Sequence, residues 1–120
     1  MEKKTLVMGA SENPQRYSYL ALHKLLQHKH PVLAMGKQKG SVSGIPINTE
    51  KEMYSDIDTI TLYLNPAHQK QYYDYILSLH PARIIFNPGT ENPELASLAR
   101  NNGIKTMEAC TLVMLGTGQY

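Results

Sequence analysis

The chain has a single cysteine, Cys110, in 120 residues. An intramolecular disulfide and a metal site built from cysteines are both excluded, since each needs a second thiol. Long apolar runs are missing as well. The stretch after Met1-Glu2-Lys3-Lys4 is too brief for a signal-peptide core and no segment approaches membrane-spanning length, so a cytoplasmic protein with no membrane partner is expected. Charge of one sign is scarce: 12 Lys and Arg against 10 Asp and Glu give a net +2, with the basic residues scattered. Nothing resembles the basic stripe of a nucleic-acid surface. Glycine-rich phosphate motifs are also lacking. A dinucleotide fingerprint needs three spaced glycines and the candidate loop supplies only Gly9, which disfavours NAD or FAD in the usual mode. No glycine-rich cradle ends in Lys-Ser or Lys-Thr, which argues against ordinary nucleotide hydrolysis. His23, His28 and His30 have no carboxylate or cysteine at a spacing that would complete a metal site.

What the chain does have is a regular alternation of short apolar runs and helical patterns, without linker, repeat or low-complexity sequence. At 120 residues and 42% hydrophobic composition it can bury one core, so residues 1–120 are read as one domain. Thr5–Met8, Val32–Met35, Ile57–Leu64, Arg83–Phe86 and Ile104–Met107 read as strands. Leu20, Leu22, Leu25 and Leu26 repeat at helical spacing until Pro31. Pro66 can open a second helix with Tyr72, Tyr73, Ile76 and Leu77 on one face. Asn92-Pro93 caps a third, with Leu95, Leu98 and Ala99 inward and Gly103 as its terminator. Thr49 and Glu52 have capping-box spacing for a further short helix, Gly44–Ile47 reads only as an extended piece, and Leu112–Tyr120 shows no clear pattern. Strands alternating with helices imply parallel pairing. The expected fold is α/β, a Rossmann-like three-layer sandwich on a five-stranded parallel sheet.

In such a sheet ligands meet the loops at the carboxyl ends of the strands. The first loop offers Gly9 for close backbone approach, the short polar groups of Ser11 and Asn13, then Arg16 at the start of a helix. The second, Met35-Gly36-Lys37-Gln38-Lys39-Gly40, carries two lysines where a nicotinamide enzyme usually carries an acid. That pair suggests a phosphorylated nucleotide. The same residues would equally serve a plain turn, a helix cap and solvated cations, so chemistry alone leaves both readings open.

Taken in order, Gly9-Ala10-Ser11, Asn13-Pro14, Arg16-Tyr17-Ser18, the lysine loop leading to Gly44–Ile47, Leu64-Asn65-Pro66, Gly89-Thr90-Glu91-Asn92 and Gly103-Ile104-Lys105 resemble the small single-domain CoA-binding proteins. The same order resembles the CoA-binding domain of the succinyl-CoA synthetase alpha subunit. This resemblance implies CoA lying across the strand ends. Gly9, Ala10 and Ser11 would line the backbone side, with Arg16 and Ser18 near phosphate. Met35, Gly36 and Lys37 would sit by the adenosine portion, with Lys39 as a further participant, and Leu64, Asn65 and Pro66 would close the opposite wall. Lys37 and Lys39 suit the 3′-phosphorylated ribose of CoA, where an unmodified ribose would call for a carboxylate.

The synthetase domain that bears a phosphorylated histidine has no counterpart in this sequence, so ligase activity does not carry over. Cys110 follows Met107-Glu108-Ala109, where relatives commonly have Asn or Arg before the cysteine. It reads as an inert thiol or, if exposed, as a partner for CoA's thiol in a mixed disulfide. No nucleophile, base and orienting group can be named together. The expectation is a module that binds CoA or an acyl-CoA, with a protein partner or a second copy left open. The alternative is a small enzyme or regulatory domain using NADP or another phosphorylated nucleotide.

Overall fold

A computed structural model describes residues 2–120. Seven strands form one sheet: β1 (Thr5–Met8), β2 (Val32–Met35), β3 (Gly40–Val42), β4 (Ile45–Asn48), β5 (Thr59–Leu62), β6 (Arg83–Phe86) and β7 (Lys105–Glu108). Their order across the sheet is β3-β4-β2-β1-β5-β6-β7. Every neighbouring pair is parallel except β3 with β4. The expected five-stranded parallel sheet is therefore corrected to a mixed one of seven strands. The two added strands, of which β4 covers the piece read only as extended, form a hairpin in which Val42 faces Ile45 and the chain reverses through Ser43 and Gly44, both at positive φ (50° and 80°). Such a two-residue reversal matches the twist of the flanking strands. Short, polar strands with Pro46 in one of them carry almost no periodic signal, which is why the apolar pattern missed them.

Helices cover both faces: α1 (Tyr17–Gln27), α2 (Pro66–Gln69), a 3₁₀ turn (Lys70–Tyr72), α3 (Tyr73–Ser78), α4 (Pro93–Asn101) and α5 (Thr111–Gly116). Alternation along β1 sends Leu6 and Met8 to one face and Val7 to the other, and all three are fully buried. Leu6 and Met8 join Ile60, Leu62, Ile84, Tyr75, Ile76, Leu95 and Ala99 under α3 and α4. Val7 joins Leu22 and Leu25 of α1 and Leu115 of α5. The segment with no sequence pattern thus contributes a packed helix, and Tyr120 beyond it lays its ring against the Arg83 guanidinium, 4.4 Å from the ring centre. Burial raises the Tyr120 phenol above its usual range, and its hydroxyl shares a hydrogen bond with the Thr5 hydroxyl.

Local signals and tertiary demands diverge at three places. Residues 49–54 form no helix: Glu52 takes a hydrogen bond from the Asn48 amide at 3.2 Å, and its carbonyl accepts one from the Tyr75 hydroxyl at 2.5 Å. These ties win over a one-turn helix, which is marginal by itself. Burial pushes the Tyr75 phenol up to about 12. Helix α1 stops before Pro31, at a Schellman end in which Lys29 adopts φ 64° and His30 N–H reaches the Leu25 carbonyl at 3.1 Å. The helix expected from Pro66 breaks into α2, the 3₁₀ turn and α3. By contrast Gly103 ends α4 as expected, at φ 74° with its N–H on the Arg100 carbonyl at 3.0 Å.

A buried polar knot ties β5, β6 and α5 together. Asn87, just past β6, donates to the Thr61 hydroxyl at 2.7 Å and the Leu62 carbonyl at 2.9 Å, and its Oδ1 accepts the Thr111 N–H at 2.8 Å. Thr61 and Thr111 also share a hydroxyl contact of 2.8 Å. Each buried polar group here has its partner, as a dry interior requires.

Candidate functional site

The order of connection reverses at β1: the chain leaves it toward β2 and β4 on one side and later returns to β5, β6 and β7 on the other. The chain segments after β1 and β5 run on to helices on opposite faces of the sheet, and the crevice above the strand ends is the usual ligand position in an open α/β sheet. In this protein the crevice is a cleft of about 830 Å³. Its walls come from the β1–α1 loop, the start of α1, the β2–β3 loop, the β5–α2 loop and the β6–α4 loop.

Gly9 adopts φ 94°, and a Cβ there would stand 2.9 Å from the Tyr63 carbonyl carbon and 3.2 Å from the Leu64 nitrogen. Only glycine lets the two loops approach so closely. The N–H groups of Gly9 and Ala10 both donate to the Met35 carbonyl, at 2.9 and 2.8 Å, clipping the first loop onto the second. Gly36 plays the matching part, since a Cβ on it would overlap the Ala10 carbonyl oxygen. Glu12 spans from the first loop to β3, accepting the Ser41 N–H at 2.9 Å. Arg16, Lys37 and Lys39 are exposed on the cleft wall, with Glu12 as the acid among them. The first turn of α1 holds no acidic residue, and Arg16 at its N-cap makes no side-chain capping bond. Positive charge and open helix-end N–H groups therefore lie on one side of the cleft, an arrangement favourable to anions.

Of the residues expected from sequence, Gly9, Ala10, Ser11, Arg16, Ser18, Lys37, Lys39, Leu64 and Asn65 line the cleft. Met35 and Gly36 instead line a small adjoining recess of about 30 Å³ with Lys37, and Met35 is buried. Pro66 lines neither space; it starts α2. The Asn65 side chain is committed to capping that helix, accepting the His68 N–H at 3.0 Å. Cys110 is half-buried at the N-cap of α5 and is not among the residues of the cleft wall.

Sequence reasoning undervalued Tyr63, Ile47 and the Pro88-Gly89-Thr90 loop, all of which line the cleft. The last could have been found by the rule that selected Gly9, because it directly follows a strand. Tyr63 had no such signal. Its hydroxyl is buried without a hydrogen-bond partner among the described residues, and burial holds the phenol well above its usual range. It is neutral at physiological pH.

The geometry suits an extended anionic ligand held by backbone and cations. The hydroxyl–imidazole contact of Ser43 with His23, at 2.9 Å, joins the hairpin turn to α1 and lies outside the cleft. Among the described residues no group of three His, Cys, Asp or Glu side chains converges as for a metal ion, and no helix is long and apolar enough to cross a membrane.

Solved structures share this architecture. A crystal structure of an uncharacterized protein is 48% identical over 100% of this chain and 99% of its own, with a TM-score of 0.98. The structure of cell-free ID.343 from Thermus thermophilus is 19% identical over 99% of this chain and 91% of its own, with a TM-score of 0.86. A dinucleotide-forming acetyl-coenzyme A synthetase from Ca. Korarchaeum cryptofilum is 16% identical over 89% of this chain and 25% of its own, with a TM-score of 0.72. No curated protein matches the sequence. The family model described as CoA binding domain matches residues 3–116, which is nearly the whole chain, and the protein belongs to that family.

Proposed function

We propose that the cleft binds CoA or an acyl-CoA, and that the chain acts as a binding module without a catalytic centre of its own. The observation that carries this reading is the pairing of Lys37 and Lys39 with Arg16 around the cleft at the switch point, beside a helix start free of acids. CoA is a long polyanion whose diphosphate suits the helix end and whose 3′-phosphate suits a lysine. Family membership supports the same ligand class.

A ligand that binds only the folded state raises the melting temperature with concentration. CoA is expected to do so here, saturating as one site, and NADP to do so far less. Stabilisation by NADP at concentrations where CoA has no effect would replace this reading by that of a nicotinamide enzyme.

Lys37→Ala resolves which phosphate the lysine meets. If its ammonium reads the 3′-phosphate, the substitution weakens CoA by roughly 1 to 3 kcal/mol, the scale of a charge-assisted contact, and barely alters dephospho-CoA. Isothermal titration of both ligands gives the comparison. Equal losses would remove Lys37 from that role.

A further inference from the structure

Gln69 is fully buried although it closes a helix of only four residues, α2. Its side chain joins two cleft loops that belong to different βα units. The Nε2 group donates to the Leu64 carbonyl and to the Thr90 carbonyl, both at 2.8 Å, and Leu64 and Thr90 both line the cleft. The amide cannot be turned over without loss, because its Oε1 accepts the Asn92 amide at 2.9 Å. Asn92 is fixed in turn: its Oδ1 caps α4 by accepting the Glu94 and Leu95 N–H groups at 3.1 and 3.2 Å, and its Nδ2 also reaches the Tyr73 hydroxyl at 2.8 Å. Tyr73 then donates to the exposed Glu94 carboxylate at 2.9 Å. Each amide atom in this chain only donates or only accepts, and the Tyr73 hydroxyl relays between them and Glu94, so the orientation is imposed from the surface down to the cleft wall.

We infer that Gln69 is the positioning residue of this wall, setting the separation of the β5–α2 and β6–α4 loops and so the affinity for the part of the ligand that runs past them. This rests on the CoA reading above, in which the adenosine end lies at the lysine loop and Leu64 closes the opposite wall, and it takes the remainder of the molecule past Leu64 and Thr90, which line the same cleft. A fully buried polar side chain with both ends bonded is held rigidly, and a wall held by two carbonyls to one amide has a single spacing. Among the described residues neither carbonyl accepts from another side chain.

Two variants test this. Gln69→Met keeps the length of the side chain and removes both donations. Asn92→Asp keeps the cap of α4 but sets a carboxylate against Oε1, which turns the amide over and takes Nε2 from the carbonyls. For each, the dissociation constants of CoA and dephospho-CoA are measured by titration, with thermal melts confirming that the fold persists. Both constants are expected to rise about tenfold or more while their ratio stays within about twofold of wild type, because the lysine loop is undisturbed. Unchanged constants overturn the inference, and so does a ratio that collapses toward one, which marks general loosening of the fold. Should Gln69→Met not fold, Asn92→Asp decides by the same criteria. Wild-type protein that binds neither ligand sinks the CoA reading itself, and the inference with it.

Discussion

Gly9→Val is expected to cost the protein several kcal/mol and to abolish binding in the cleft. Two effects add. A residue at φ 94° with a branched side chain sits in backbone space that side chains avoid, at about 1 to 2 kcal/mol. Its Cβ would press on the Tyr63 carbonyl carbon at 2.9 Å, and backbone cannot rotate away as a side-chain end can. Relief requires the β1–α1 loop to part from the β5 end, at a further ~1 to 3 kcal/mol typical of overpacking. The melting temperature should fall on the order of 10 °C. Ser11→Ala, by contrast, removes the hydroxyl that accepts the Asn13 N–H at 3.0 Å in an exposed turn, a loss of about 1 kcal/mol or less. Thermal melts and CoA titration of both variants are the measurement. A Gly9→Val protein with wild-type melting and wild-type CoA affinity would move the site elsewhere.

Asn87→Ala should be nearly as damaging to stability, although none of the partners of its side chain lines the cleft. The substitution strands the Thr111 N–H and the Leu62 carbonyl in the interior and leaves the Thr61 hydroxyl with one partner fewer. Each unsatisfied buried group costs ~1 to 3 kcal/mol, and the small cavity adds to it, giving a total on the order of 4 kcal/mol. Asn101→Ala, on the exposed last turn of α4, is the control and should stay within about 0.5 kcal/mol. Chemical denaturation of the three proteins compares them. A loss under about 1 kcal/mol for Asn87→Ala would mean that the knot contributes little beyond local geometry.

Elements with strong apolar periodicity were readable from sequence, and those fixed by tertiary contact were not. Leu6-Val7-Met8 and Ile84-Ile85-Phe86 announce buried strands because nothing else accommodates so continuous an apolar run. The β3–β4 hairpin carried a signal only in Ser43-Gly44, a turn dipeptide flanked by Val42 and Ile45. Thr49 and Glu52 had the letters of a helix start, yet Asn48 and Tyr75 claim Glu52 first. In the candidate site the strand-end rule pointed to the loops of Gly9 and Lys37, which line the cleft, while Leu64 came only with the family resemblance. That rule could not show that Asn65 spends its side chain on a cap or that Met35 lies beneath the surface, since both depend on which way a loop folds back. Gln69 was hidden for a similar reason: a polar letter between His68 and Lys70 on an expected surface helix gives no hint of complete burial.

The place of β1 at the middle of the sheet governs the order in which the chain can fold as it is made. Thr5–Met8 is synthesised before both of its partner strands, yet every one of its residues ends with no exposed surface. One edge waits for residues 32–35 and the other for residues 59–62, each arriving only after a long crossover has closed. Nascent chains that stall before residue 59 therefore hold an apolar strand with an unpaired flank, ready to pair with the wrong neighbour. Local hairpin β3–β4 can form at once but does not relieve this, because it meets β1 only through β2. Slow or interrupted synthesis in that interval is where this protein is most exposed to aggregation.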